Sequence, residues 1–169
     1  MKDFRMKGIE AKDGIVTLFG ERIVFVPPNV ISLLGQIYGQ GSKPLLKYLG
    51  KKMGRRLIET WEEHLRPKTI EQLTDIFTEM VSTSGWGKLS LETIKRNERN
   101  EEEGFIFKLE NNIAKLDNSR DICYFVSGLL SGFGEFALYS AQVTEIQCSI
   151  IEPDKNVCIF EVTKRNIDF

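Results

Sequence analysis

The stretch 122-ICYFVSGLLSGFGEFALYSA-141 contains a single charged residue, Glu135, and sets Gly128 and Gly132 four positions apart. That length and the Gly-x-x-x-Gly spacing are those of a membrane-spanning helix. Against a span stand Glu135, which would cost roughly 2.5–3.5 kcal/mol near mid-membrane, several Ser and Tyr residues, and the lack of a Lys/Arg cluster at either end. On a helical wheel Gly128, Ser131, Gly132, Glu135 and Tyr139 fall on one side, and Val126, Leu129, Leu130, Phe133 and Ala137 fall towards the other. The reading is a buried helix with no membrane span. Its bulky face enters a core, and its glycine face lets another backbone come close.

Downstream, 142–152 and 157–165 read as a closing hairpin around the turn Pro153-Asp154-Lys155-Asn156. Upstream, the polar stretch 111-NNIAKLDNSRD-121 places Asp121 near the helix start, where the dipole favours negative charge. Segments 86-WGKLSLETIKR-96 and 104-GFIFKLEN-111 alternate apolar with polar residues and predict an antiparallel pair. Further back, helical periodicity runs over 69–82, with Thr69 as cap, and over 44–65, ended by Pro67. A third helix starts at Asn29, carries the stripe Val30, Leu33, Leu34 and Ile37, and is broken by Gly39, Gly41 and Pro44. The first 28 residues predict a hairpin turning at Gly20-Glu21. With no repeat or low-complexity linker, residues 1–169 read as one α+β domain. In order it has the N-terminal hairpin (1–28), helices (29–82), a strand pair (86–111), the glycine-rich helix (121–140) and the closing hairpin (142–165), with helices packed on one face of an antiparallel sheet.

A chain of 169 residues can bury about two-thirds of its unfolded surface. Hydrophobic residues at 41% and charged residues at 28% are ordinary for such a domain, and a net charge of −1 supplies no field to attract nucleic acid. An odd count of three cysteines, and an N-terminus MKDFRMKGIEAKDG without an apolar run, point to a cytoplasmic protein with reduced thiols.

Those cysteines carry the main chemical question. Cys123, Cys148 and Cys158, with Glu145, form an acceptable ligand set for zinc, which takes three or four thiolate, imidazole or carboxylate ligands. Residues three apart on a regular strand face opposite ways, so Glu145 and Cys148 can share a metal only if the strand bulges near Ile146-Gln147 or pairing starts after Glu145. Hairpin parity adds a second condition. Pairing Glu152 with Val157 turns Cys158 away from Cys148, whereas pairing Ile150 with Cys158 brings both sulfurs to one face. The other reading is that all three are buried core thiols, a common role for free cysteine. His64 lies near a helix C-terminus, an ordinary place for it, and neither a Gly-x-Ser-x-Gly elbow nor a phosphate loop is present.

The segments GIVTLFGERIVFVPPNVISLLGQIYGQGSKPLLKYLGKKMGRRL, GWGKLSLETI, CYFVSGLLSGFGEFALYS and EIQCSIIEPDKNVCIFEV together resemble the 4-vinyl reductase (hydrocarbon-binding) domain family over nearly the whole chain. That family includes standalone archaeal proteins, sensor domains of aromatic-responsive bacterial regulators and a bacteriochlorophyll-pathway protein, and its fold is similar to that of transport protein particle subunits. The resemblance implies helices on a sheet around an apolar cavity. It also implies a structural zinc on Cys123, Glu145, Cys148 and Cys158, although the turn 153–156 is longer here than the usual Gly-Asp. Four protein ligands close a zinc site, which disfavours catalysis at the metal. If the family's cavity is kept, Phe77, Trp86, Phe125 and Phe133 are its natural lining and Tyr124 and Glu135 are candidate polar anchors, with ordinary core packing as the alternative for the aromatics. The expected function is the binding or sensing of a small hydrophobic ligand, with output through a regulatory partner or a homodimer. The alternatives are a reductase acting on a tetrapyrrole vinyl group and a non-catalytic scaffold.

Overall fold

In the computed structural model, residues 8–27 and 29–165 are described. Strands β1 (Ile9–Lys12), β2 (Ile15–Leu18) and β3 (Glu21–Ile23) form an antiparallel meander. Sequence reading expects only a two-stranded hairpin here and misses β1, although Asp13-Gly14 is a two-residue hairpin signal. Both residues have positive φ, 52° and 76°, as that tight turn demands. After residues 24–27, which have no regular structure, come α1 (Asn29–Tyr38), a 3-10 turn (Gly39–Gly41), α2 (Ser42–Leu65) and α3 (Ile70–Thr83). The break expected between the first two helices is present at the 3-10 turn, and Pro44 sits inside the first turn of α2, where its missing N–H has no helical partner to lose. Thr69 caps α3 by accepting from Gln72 N at 3.2 Å, in line with the expectation.

The second sheet contains β4 (Lys88–Arg96), β5 (Glu102–Glu110), β6 (Ala141–Gln147) and β7 (Val157–Lys164). It is antiparallel throughout, in the order β4-β5-β7-β6. The short helix α4 (Ala114–Asp117) and the glycine-rich α5 (Arg120–Leu138) connect its two halves. One sheet face is apolar: Phe105, Phe107 and Leu109 of β5 and Cys158, Phe160 and Val162 of β7 are fully buried. Phe133 of α5 lies on that face, stacked on Phe77 of α3 at 4.7 Å and edge-on to Phe105 and Phe107 at 5.3 and 5.7 Å. The expected α+β architecture, with helices against one face of an antiparallel sheet, is the one observed.

Helix α5 has the length and composition of a membrane span, yet 67% of its most apolar window is buried inside the molecule. Its glycine face meets a matching pair on α2 that sequence reading did not single out. A Cβ added to Gly128 would lie 2.4 Å from Lys47 O, and one on Gly132 2.4 Å from Lys51 O. Reciprocally, a Cβ on Gly50 would lie 2.2 Å from Phe125 O, and one on Gly54 2.3 Å from Leu129 O. Glu135 falls on the same side and pairs with Lys51 at 2.5 Å.

In α1 the residues turned inward are Ser32 and Gly35. Gly35 leaves room for the Asp121 carboxylate, which accepts from Ser42 Oγ at 3.0 Å and from Ser119 Oγ at 2.9 Å. With that face inward, Leu34 packs against the core while Leu33 and Ile37 of the stripe are exposed.

Candidate functional site

The four expected metal ligands converge. Ligand atoms of Cys123, Glu145, Cys148 and Cys158 all lie within 4.8 Å of one another. Cys123 comes from the first turns of α5, Glu145 from β6, Cys148 from just past the end of β6, and Cys158 from the start of β7. The register explains how. Glu145 pairs with Phe160, but Gln147 pairs with Ile159, so Ile146 is the extra residue of a bulge. Beyond the bulge, Cys148 comes level with Cys158 and faces the same way as Glu145.

The closing hairpin differs from expectation in length. Its first strand ends at Gln147 rather than 152, because the backbone turns at once: Ile151 N and Glu152 N both donate to Cys148 O, at 3.1 and 2.9 Å. The parity needed to bring the sulfurs together is nevertheless the one present, with Cys148 rather than Ile150 level with Cys158.

The three thiols are buried and form a polar cluster. Asn112, itself buried, donates from Nδ2 to Cys158 Sγ at 3.3 Å and to Cys123 Sγ at 3.5 Å, while its Oδ1 accepts from Ala114 N at 2.9 Å. Ser149 N donates to Cys158 Sγ at 3.3 Å, and Ser149 Oγ lies 3.2 Å from the same sulfur. These donors, led by the Cys123 thiol, hold the Cys158 thiol down at about 5 in spite of burial. Cys123 is pushed up by that same hydrogen bond, by burial and by the charge of Glu145. Cys148 is pushed up chiefly by burial.

Glu145 Oε2 accepts from Arg120 Nη2 at 3.1 Å, and its Oε1 is buried without a hydrogen-bond partner. An orphaned carboxylate oxygen among three sulfurs is a donor set that could hold a metal ion. A tetrahedral zinc with sulfur about 2.3 Å away has ligand atoms roughly 3.8 Å apart, so a small contraction of the cluster would suffice. Asn112, Ser149 and Arg120 were not foreseen. They form no motif with the cysteines, and only the tertiary fold brings them there.

A pocket of about 620 Å³ lies between the β1–β3 meander and helices α1 and α2. Its walls include Leu18, Ile31, Leu46, Leu57, Trp86 and Phe125, and its rim includes the exposed Val24, Phe25 and Val26. Trp86 and Phe125, two of the expected ligand-lining aromatics, stand 5.0 Å apart in that wall. The others lie outside the lining. Phe77 and Phe133 are in the aromatic core described above, Tyr124 has Lys43 and Arg120 at its ring, and Glu135 is held by Lys51. His64 is engaged locally, with Nδ1 2.7 Å from Thr60 O.

No family model and no curated protein matches the sequence. Solved structures do. The phenol-responsive sensory domain of the transcription activator PoxR, solved with phenol, aligns with a TM-score of 0.78 at 13% identity, over 94% of this chain and 85% of that one. A vinyl-4-reductase family protein from Methanocaldococcus jannaschii aligns with a TM-score of 0.53 at 22% identity, over 85% of each chain. A trafficking protein particle complex subunit 3 from Naegleria fowleri, covalently bound to palmitic acid, aligns with a TM-score of 0.55 at 11% identity, over 82% of this chain and 90% of that one. At these identities the likeness is one of fold, and at that level it supports the resemblance to 4-vinyl reductase domains drawn from the sequence.

Proposed function

We propose that this chain is a binding or sensory domain for a small, largely apolar molecule, built around a structural zinc on Cys123, Glu145, Cys148 and Cys158. The observation that carries the reading is the pocket of about 620 Å³ walled by aliphatic and aromatic side chains. At the ~30 Å³ that a water molecule occupies in the liquid, that volume takes on the order of 20 non-hydrogen atoms. A long acyl chain or a compound of several rings fills it better than a single ring does.

The fold likeness to a phenol-responsive domain and to a palmitate-bound subunit agrees with this class of ligand, and zinc is the ion that a closed set of three thiolates and one carboxylate suits. Any output passes to a regulatory partner or a second copy in the cytoplasm. The reductase reading is less well supported. Among the described residues, none lining the pocket is titratable, and the hydroxyls of Thr83 and Ser84 donate to helix carbonyls at 2.8 and 2.7 Å.

Fluorescence titration with the neutral fluorophore N-phenylnaphthylamine tests the proposal. Saturable binding near one per chain is expected, lost in Leu57→Trp, where the larger side chain occupies the pocket. Equal binding by wild type and Leu57→Trp would overturn it.

A further inference from the structure

Among the described residues, three buried side-chain polar atoms have no hydrogen-bond partner. Two of them, Arg120 Nε and Glu145 Oε1, belong to the ion pair beside the cysteine cluster. The third is Trp61 Nε1, on a residue that lines the apolar pocket. An indole N–H only donates and cannot turn to accept, and a buried donor left unpaired is costly. Trp61 is 1% exposed, so bulk water does not supply the acceptor.

Helix α2 carries the indole to the pocket. Leu46, Leu49, Met53, Leu57 and Trp61 all line it, at spacings of three and four residues that set them on one helix face. The other polar groups of the lining are already committed or open. Thr83 and Ser84 give their hydroxyl protons to Glu79 O and Met80 O, at 2.8 and 2.7 Å. Trp86 is only partly buried and packs its ring against Phe125. The lining side chains thus hold one buried, unspent donor and no cation.

We infer that the occupant of the pocket is an uncharged molecule bearing a hydrogen-bond acceptor, such as a ketone, ester, ether or quinone oxygen, and that Trp61 Nε1–H is its polar anchor. The inference rests on the ligand-binding reading above and narrows it. A carboxylate would enter without a cation to pair with, and burying it so is unfavourable. A pure hydrocarbon fills the volume and leaves the donor unpaired. An acceptor satisfies it, and the N–H is already withdrawn from water in the free protein, so its own desolvation does not oppose binding. Because the atom is shielded, seating the oxygen requires flanking aliphatic side chains to shift, Leu57 one turn back on α2 among them.

Fluorene and fluorenone share one ring frame, and only fluorenone carries an acceptor. Displacement of N-phenylnaphthylamine from the full chain by each compound tests the anchor, with affinities normalised to each compound's transfer from water to hydrocarbon. On that scale fluorenone is expected to bind about tenfold more tightly than fluorene, the effect of one hydrogen bond to an otherwise unpaired buried donor. In Trp61→Phe the ratio should fall to near one; a change of pocket shape would move both affinities together and leave the ratio alone. A second readout does not depend on that variant. The chain has two tryptophans, so the nitrogen-labelled protein gives two indole N–H signals, assigned by the loss of one in Trp86→Phe. Fluorenone should move the Trp61 signal downfield and fluorene should not. Equal normalised affinities in the wild type, or a Trp61 signal unmoved by bound fluorenone, overturn the anchor and leave the apolar pocket standing. A ratio that persists in Trp61→Phe overturns it as well, since the oxygen is then held elsewhere. Failure of the wild type to bind the probe and both compounds overturns the ligand-binding reading itself.

Discussion

Cys158 is the residue on which the proposed metal centre turns. It pairs with Leu109 across the sheet, receives hydrogen bonds from Asn112 and Ser149, and comes level with Cys148 through the Ile146 bulge. Because binding of a structural metal is coupled to folding, Cys158→Ser is expected to lose the ion and to lower Tm by about 10 °C or more, from a loss of several kcal/mol in a chain of this length. Thermal unfolding followed by circular dichroism would show it, and an unchanged Tm would count against the site. Asn112→Ala should weaken the metal by roughly 10–100-fold, as loss of an outer-shell partner typically does, measured by competition with a chromophoric chelator. The ligands themselves were legible in the sequence because their residue types are chemically distinctive and strand parity states what backbone they require. Asn112 was not legible. An asparagine in a polar stretch carries no mark of the sulfurs it reaches, which lie 11 and 46 residues away.

Helices α2 and α5 meet through glycines, and the sign of a substitution there separates contact from propensity. In an exposed helix interior Gly→Ala stabilises by about 0.5–1 kcal/mol. At Gly50 the added methyl would meet Phe125 O at 2.2 Å, with backbone on both sides and no flexible side chain to yield. Gly50→Ala is therefore expected to destabilise by about 1–3 kcal/mol or more, read from urea denaturation; a stabilised variant would show that the two helices can separate freely. The element pattern was readable wherever periodicity and punctuation agreed, as in α3 with its Thr69 cap and α5 with Asp121 at its start. It failed where tertiary contact decides. The stripe on α1 was visible, but only the approach of Gly35 to Asp121 shows that its Leu33 and Ile37 end up exposed. Strand β6 stops at Gln147 because the Cys148 carbonyl is taken up by a turn, a local choice that β-branched composition does not reveal.

Across the whole molecule the proposed metal centre and the pocket share α5. Cys123 lies in the metal cluster, and Phe125, two residues on, is in the pocket wall. Withdrawal of the ion by a strong chelator is thus expected to lower Tm and also to weaken N-phenylnaphthylamine binding severalfold, within the range usual for coupled sites; unchanged affinity would show that the two sites are independent. At this scale the charge total was the least informative part of the sequence. A net charge of −1 conceals a run of 20 uncharged residues, 23–42, followed directly by the lysine- and arginine-rich start of α2. We propose a metal-stabilised domain with room for one apolar molecule. A native mass spectrum of the untagged chain, sprayed after incubation with N-phenylnaphthylamine, tests it most directly. The expected masses correspond to one zinc and one fluorophore per chain, the zinc lost in Cys158→Ser and the fluorophore in Leu57→Trp. The mass of the bare chain, without metal or fluorophore, would contradict the account.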